Sequence, residues 1–208
     1  MKTALVTGGV KNIGRAISER LRADGWRVIT ASHDPASDAD IIVDLAEMLG
    51  PAKLYAQALK LNAGDPPDAL VNNAAILTGE DAKVEALDLT APMKLTMLMA
   101  GRETGVGAVV NILDGGVEKL GSCEVVSAYA KAKTALAEYT LKSAAMFEGT
   151  LRVNAVAVGP VSLSEGVHLK AAETPFGRPS AEDVAAAVAF LCSADKTSGV
   201  IVPVGVGI

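Results

Sequence analysis

Short apolar runs alternate with longer segments of helical period along the whole chain. The runs are four to eight residues long and are bounded by turn-forming residues, which is typical of strands buried on both faces. We expect strands at residues 3–7, 27–32, 40–43, 69–74, 108–113, 151–158 and 199–204. Because helical segments separate these runs, the pattern predicts an α/β fold of βα units around a parallel sheet of about seven strands.

Three segments give the clearest helix predictions, at residues 13–24, 127–147 and 181–193. In the first, Ile13, Ile17 and Leu21 fall on one apolar stripe. Before the last, Ser180 is a favourable N-cap residue, and Asp183 places a negative charge in the first turn.

The connection between the second and third strands is unusually short. Only eight residues, 33–40, are available, which is too few for the usual crossover helix. Either that helix is missing or the third strand is misplaced.

Length and charge narrow the function classes. The 208 residues fit one domain, residues 1–208, in which 50% of residues are hydrophobic and 21% are charged. The net charge of −5, with no run of Lys or Arg, argues against a nucleic-acid or anionic-membrane partner. We therefore expect a small-molecule substrate.

Cysteine usage and the N-terminus point to the cytoplasm. Cys123 and Cys192 are too few for a disulfide framework and have no metal-ligand spacing, so we expect no metal site. The apolar run at the N-terminus is shorter than a signal-peptide core, and no stretch approaches the ~20 apolar residues of a membrane span.

The stretch TGGVKNIGR, residues 7–15, joins the first strand to the first helix. Glycines at a helix N-terminus place backbone N–H groups at one point, which is an arrangement that binds anions. The spacing is not the G-x-G-x-x-G dinucleotide fingerprint, so a tight strand-to-helix turn is the alternative.

Five motifs together resemble the short-chain dehydrogenase/reductase family, in order and across nearly the whole chain. They are TGGVKNIG (7–14), NNA (72–74), YAKAK (129–133), RVNAVAVGPV (152–161) and TPFGRPSAEDVAAAVAFL (174–191). The resemblance implies a single doubly wound Rossmann domain with helices on both faces and a nicotinamide dinucleotide at the carboxyl ends of the strands. Asn12 replaces a glycine of most members, but asparagine tolerates left-handed backbone angles. Pteridine reductase-like members, which also replace this glycine, are the nearest subgroup.

The cofactor prediction rests on the end of the second strand. An acidic residue there favours NAD, whereas this chain has Ser32 followed by His33, and Lys11 matches the basic position of NADP-using relatives. We therefore expect NADP(H) rather than NAD(H), although a shift of one residue would bring Asp34 to the ribose. The resemblance places the remaining cofactor contacts at Gly8, Asn12, Ile13, Gly14, Asp44, Leu45, Asn72, Asn73, Ala74, Lys133, Gly159 and Val161.

Tyr129 and Lys133 are four residues apart in a predicted helix, so their side chains share one face. A nearby ammonium favours phenolate and is expected to lower the tyrosine pKa. Tyr129 is therefore predicted to be the general acid in reduction and the base in oxidation. The resemblance gives Lys133 a hydrogen bond to the nicotinamide ribose.

Two aspartates stand where the family has other catalytic residues. Asp114 takes the place of the usual serine but lies 15 residues before Tyr129 instead of 13, so it is either catalytic or part of a DGG turn. Ser122 and Ser127 are nearer to the tyrosine but lie outside the motif. Asp88 aligns with an asparagine that holds a water for proton relay, and a surface carboxylate is the alternative.

These residues predict an NADPH-dependent reductase that delivers hydride to a carbonyl or imine of a small molecule. A pteridine or dihydropteridine reductase is one alternative, and a non-catalytic dinucleotide-binding sensor or scaffold is another. The substrate segment between Pro160 and Phe176 is short, and His168 within it is expected to face solvent. The apolar C-terminal strand, with the catalytic helices, predicts a homodimer or homotetramer.

Overall fold

A parallel sheet forms the centre of the computed structural model, which describes residues 1–103, 105–115, 127–159, 161 and 178–205. Within those residues the sheet has seven strands. They are β1 (Thr3–Thr7), β2 (Arg27–Ser32), β3 (Ile41–Ile42), β4 (Ala69–Asn72), β5 (Gly107–Asp114), β6 (Leu151–Val158) and β7 (Ile201–Val204). The prediction of a single parallel sheet of about seven strands is confirmed.

The strand order is β3-β2-β1-β4-β5-β6-β7. The chain builds outward from β1 to β3 and then returns to start the other half at β4, so the direction of winding reverses between β1 and β4. In open α/β sheets, ligands bind at the carboxyl ends of the strands beside such a reversal.

Helices cover both faces of the sheet. They are α1 (Asn12–Ala23), α2 (Gly50–Leu61), α3 (Asp81–Glu85), α4 (Ala91–Ala100), α5 (Ala128–Met146) and α6 (Ala181–Ser193). Alternate residues of each strand point to opposite faces, so Ala4 and Val6 pack with α1 and α6, whereas Leu5 packs with α2 and α4. The doubly wound arrangement is thereby confirmed, and none of the described helices is long and apolar enough to cross a membrane.

The short connection of residues 33–40 contains no helix. Ala31 pairs with Ile41 and Ser32 pairs with Ile42 in parallel register, so the third strand is correctly placed and the crossover helix is missing. Asp40 closes this connection, because its Oδ2 accepts hydrogen bonds from the backbone N–H (2.7 Å) and the hydroxyl (2.8 Å) of Thr30.

Candidate active site

The glycine-rich turn takes the backbone form that its sequence predicts. Gly8 has φ of +64° and Asn12 has φ of +48°, so asparagine does adopt the left-handed conformation in the place of the family's glycine. Gly14 has no room for a side chain, since a Cβ there would collide with the carbonyl oxygen of Gly8 and lie 2.6 Å from Asn73 Nδ2. The turn therefore packs closely against the residues that follow β4.

Thr7 joins the carboxyl ends of β1 and β4. Its hydroxyl accepts hydrogen bonds from the N–H groups of Asn73 and Ala74, each 3.0 Å long, and donates to the carbonyl of Val71 at 3.3 Å. The Asn73 amide donates to the carbonyls of Thr7 (2.9 Å) and Gly8 (3.2 Å). The sequence analysis missed Thr7, and the only available signal was a threonine that ends a buried strand just before two glycines.

A cleft of about 400 Å³ lies at these strand ends, within the usual range for small-molecule sites. It contains most of the predicted cofactor contacts, namely Gly8, Lys11, Asn12, Ile13, Gly14, Ser32, His33, Asp44, Leu45, Asn73 and Ala74. The lining also includes Asp34, which a shift of one residue was expected to bring to the ribose. Other lining residues, which the motifs did not indicate as contacts, are Ile76, Leu77, Lys83 and Leu87.

Four residues predicted as cofactor contacts, Lys133 among them, do not line this cleft. Asn72 is buried, and its amide donates to Asn111 Oδ1 at 2.8 Å, so it links β4 to β5 within the sheet. The N–H of Gly159 donates to the carbonyl of Val204, and Val161 packs against the core on the α1 and α6 face. Cofactor contacts at these positions remain predictions, because none of these residues lines the described cleft.

The donor groups of the cleft suit an anionic dinucleotide. Lys11 is the N-cap residue of α1, and its side chain makes no capping hydrogen bond, so it does not satisfy the first N–H groups of the helix. Asn12, Ile13 and Gly14 of that first turn line the cleft. An uncapped helix N-terminus facing a cleft fits a pyrophosphate.

An ion pair spans the rim of the cleft between the glycine-rich turn and the end of β2. Lys11 Nζ lies 2.9 Å from Asp34 Oδ2, and Asp34 Oδ1 accepts a hydrogen bond from the N–H of Ala36 at 2.9 Å. The hydrogen bond from Lys11 and that from Ala36 hold the pKa of Asp34 below its ordinary value. Both oxygens of this carboxylate are thus already engaged, whereas the Lys11 side chain is 66% exposed.

Tyr129 and Lys133 occupy one face of α5, as predicted. Lys133 Nζ lies 5.6 Å from the centroid of the Tyr129 ring. The lysine is buried, and its ammonium donates a hydrogen bond to the carbonyl of Ile112 in β5 at 3.1 Å. The pair therefore lies beside the carboxyl end of β5. This strand is the neighbour of β4, and the residues that follow β4 line the cleft.

Asp114, at the last position of β5, makes a side-chain hydrogen bond with Tyr129. The longer spacing between these residues does not keep them apart, although residues 116–126 and therefore Ser122 lie outside the described part of the chain. Ser127 has a different role, because its hydroxyl accepts a hydrogen bond from the N–H of Ala130 and caps α5.

The expected lowering of the Tyr129 pKa is wrong. Burial raises the pKa of Tyr129 well above its ordinary value, and the carboxylates of Asp114 and Asp88 raise it further. The prediction counted only the ammonium, whereas the fold brings two anions to the same phenol. Tyr129 therefore holds its proton at neutral pH in this structure.

Asp88 is buried beside Lys133 and is not the surface carboxylate of the alternative interpretation. It lies in a π-helical turn, Ala86–Thr90, between α3 and α4. Its Oδ1 is 3.3 Å from Lys133 Nζ, and its Oδ2 accepts a hydrogen bond from the N–H of Ile76 at 3.2 Å. Burial raises the pKa of Asp88, while Lys133 opposes that shift.

His168 and most of the predicted substrate segment between Pro160 and Phe176 lie outside the described ranges. The same holds for residues 206–208 of the tail.

Comparisons with known proteins agree with this fold. A family model described as short chain dehydrogenase matches residues 2–173. The chain is 29% identical to the 2-dehydro-3-deoxy-D-gluconate 5-dehydrogenase of Bacillus subtilis (strain 168), over 99% of this chain and 94% of that protein. It is also 29% identical to the levodione reductase of Leifsonia aquatica, over 99% and 93% of the two chains. The crystal structure of a blue fluorescent protein from a metagenomic library, in complex with NADPH, matches with a TM-score of 0.86 at 26% identity, over 99% of this chain and 97% of that one. The chain therefore belongs to the short-chain dehydrogenase family.

Proposed function

We propose that this protein is an NADPH-dependent reductase that transfers hydride to a carbonyl or imine carbon of a small molecule, with Tyr129 as the proton donor. The observation that carries the proposal is the group formed by Tyr129, Lys133 and Asp114 beside the cleft at the sheet's carboxyl edge. The names of two relatives, a reductase and a sugar-acid dehydrogenase, support an oxidoreductase that acts on carbonyl or hydroxyl groups.

Different residues would hold different parts of the dinucleotide. The α1 N-terminus and the glycine-rich turn would hold the pyrophosphate, and Lys133 would hold the nicotinamide ribose. A bound reduced nicotinamide supplies the hydride. Tyr129 supplies the proton, which its raised pKa keeps in place until a substrate atom becomes basic enough to accept it.

Substitution of the phenol tests this role. Tyr129→Phe should bind NADPH as the wild type does but lose turnover by about 10²–10⁴-fold, which is the usual contribution of a general acid. Affinity is measured by NADPH fluorescence and turnover by loss of absorbance at the nicotinamide band. Tyr139→Phe is the matched control on the same helix, because the Tyr139 hydroxyl donates to the carbonyl of Met93 on α4, at 3.4 Å. Unchanged turnover in Tyr129→Phe would remove the mechanism.

The preference for NADPH rests on Lys11. Asp34 is paired with Lys11 and with the N–H of Ala36, and the exposed ammonium of Lys11 has protons left for a 2′-phosphate. The neighbouring solved structure contains NADPH, which supports the same preference.

Lys11→Ala should therefore weaken NADPH binding by about tenfold or more and leave NADH binding nearly unchanged, since a charge-assisted hydrogen bond is lost only with the phosphate. Titration of both cofactors measures this. Lys53→Ala is the control, because Lys53 is also an exposed lysine in an ion pair, 3.1 Å from Glu47, but lies on α2 outside the cleft. Equal loss for both cofactors would contradict the assignment.

Substrate identity is decided by a panel of quinones, diketones, ketoesters and dihydropteridines. The panel separates a general carbonyl reductase from a pteridine reductase. A protein that binds NADPH but reduces nothing would instead fit a sensor or scaffold, and the pairing of a half-buried Tyr129 with a buried Lys133 argues against that.

We also propose a homodimer or homotetramer. Large apolar side chains are exposed on the helices that flank the catalytic group and on α6, namely Met97, Leu141, Met146 and Phe190. Sedimentation as a monomer at micromolar concentration would contradict this.

We also propose a cytoplasmic location, which the small number of cysteines supports.

A further inference from the structure

Asp88 contacts two separate parts of the candidate active site. Its side chain is fully buried in the π-helical turn Ala86–Thr90. One carboxylate oxygen, Oδ1, lies 3.3 Å from the ammonium of Lys133 on α5. The other, Oδ2, accepts the N–H of Ile76 in the loop that follows β4.

The first contact compensates the positive charge of a buried lysine. The Lys133 side chain is 3% exposed, and burial lowers its pKa because a charged amine is costly away from water. The carbonyl of Ile112 offers a hydrogen bond but no net charge. Asp88 is the described carboxylate in ion-pair contact with this ammonium, and Asp114 adds a second negative charge nearby.

The second contact ties the cofactor loop to the same carboxylate. Ala74, Ile76 and Leu77 line the cleft, and the N–H of Ile76 donates a hydrogen bond to Asp88 Oδ2. The N–H of Ala74 donates to the hydroxyl of Thr7. The loop is thus held at one end by β1 and at the other by Asp88.

We infer that Asp88 is a positioning residue with two separable effects: it is the counter-ion that keeps Lys133 charged, and it anchors the Ile76 end of the cofactor loop. The inference rests on the proposed function, in which Lys133 contacts the cofactor. It differs from the water-holding role that the resemblance implies, because the carboxylate contacts the lysine directly.

Two substitutions separate these effects. Asp88→Asn removes the charge but keeps a carbonyl oxygen that can accept the Ile76 N–H, whereas Asp88→Leu removes both. Asp81→Asn is the matched control, since Asp81 is an exposed carboxylate at the start of α3, immediately before the same turn.

In Asp88→Asn, Lys133 should lose its proton at lower pH than in the wild type. The alkaline limb of the pH profile for kcat should therefore move to lower pH. NADPH affinity should stay within about twofold of the wild-type value. In Asp88→Leu, NADPH affinity should fall by about tenfold, because the loop loses its anchor as well. An unmoved alkaline limb in Asp88→Asn would overturn the counter-ion role. Equal NADPH affinity in the two variants would overturn the anchoring role.

Thermal unfolding gives a readout that needs no turnover. In Asp88→Asn the native state releases the Lys133 proton early, whereas the unfolded chain keeps it up to about pH 10. Stability of this variant should therefore rise with pH relative to the wild type, so the gap in Tm between the two proteins should narrow from pH 7 to pH 10. A constant gap would count against the ion pair.

If the wild type fails to oxidise NADPH with any substrate, the proposed function fails, and the Tm comparison still decides whether Asp88 is the counter-ion. Should Asp88→Leu not fold, the double variant Asp88→Leu/Lys133→Met removes the whole pair, and NADPH binding by this variant as tightly as by Asp88→Asn would overturn the anchoring role.

Discussion

The proton of Tyr129 is controlled by residues far from it in sequence. Asp114 reaches the phenol from the end of β5, and Asp88 acts on it from the turn before α4. Both carboxylates stabilise the protonated phenol relative to the phenolate. The phenol therefore keeps its proton at neutral pH.

Asp114→Asn should lower the pKa of Tyr129, because it removes an anion that favours the phenol, although burial keeps that pKa above its ordinary value. Absorbance at the phenolate band during an alkaline titration measures the shift, with Tyr129→Phe subtracted to isolate this tyrosine. Asp65→Asn, which removes an exposed carboxylate from the loop before β4, should leave the titration unchanged. A Tyr129 titration identical in Asp114→Asn and the wild type would mean that the two side chains do not interact in solution.

Local patterns predicted the helices and strands well, because their causes are local. The apolar stripe of α1 and the N-cap of α6 are both found, and Ser180 and Asp183 form a reciprocal capping box. The Tyr129 and Lys133 pair was found for the same reason, since four residues along a helix fix a shared face. The pKa of Tyr129 was not predictable in this way. It depends on carboxylates that two other elements bring in, and no periodicity marks the π-helical turn that carries Asp88.

The capping box of α6 carries a stability prediction. Ser180→Ala should reduce the free energy of unfolding by about 1 kcal/mol. The substitution removes Ser180 Oγ, which accepts a hydrogen bond from the N–H of Asp183 at 3.2 Å. Urea denaturation followed by circular dichroism measures the change. Ser193→Ala, at the exposed last position of the same helix, is the control and should cost much less. Equal costs would show that the cap contributes nothing specific.

Two apolar layers lie on opposite faces of one sheet, so we expect the fold to unfold as one cooperative unit, and Cys192 is suited to report on it. The thiol is buried in the layer formed by α1 and α6, and burial raises its pKa to about 12. Thiolate is the reactive form, so the native protein should protect this cysteine from alkylation.

In a Cys123→Ser background, iodoacetamide should label Cys192 only as the protein unfolds, with a rate that rises with urea in step with the loss of circular dichroism. Mass spectrometry of the intact chain counts the adducts. Rapid labelling without denaturant would show that α6 separates from the sheet while the rest of the fold persists.

The helix-free connection between β2 and β3 bears on the proposed coenzyme preference. His33 and Asp34 lie within it, while Asp40 and the pairing of Ala31 with Ile41 fix its two ends. Residues in between can be exchanged without unpacking any helix from the sheet. If the proposed function holds, an eight-residue loop grafted from an NAD-dependent relative should change the coenzyme preference and leave the hydrophobic core intact.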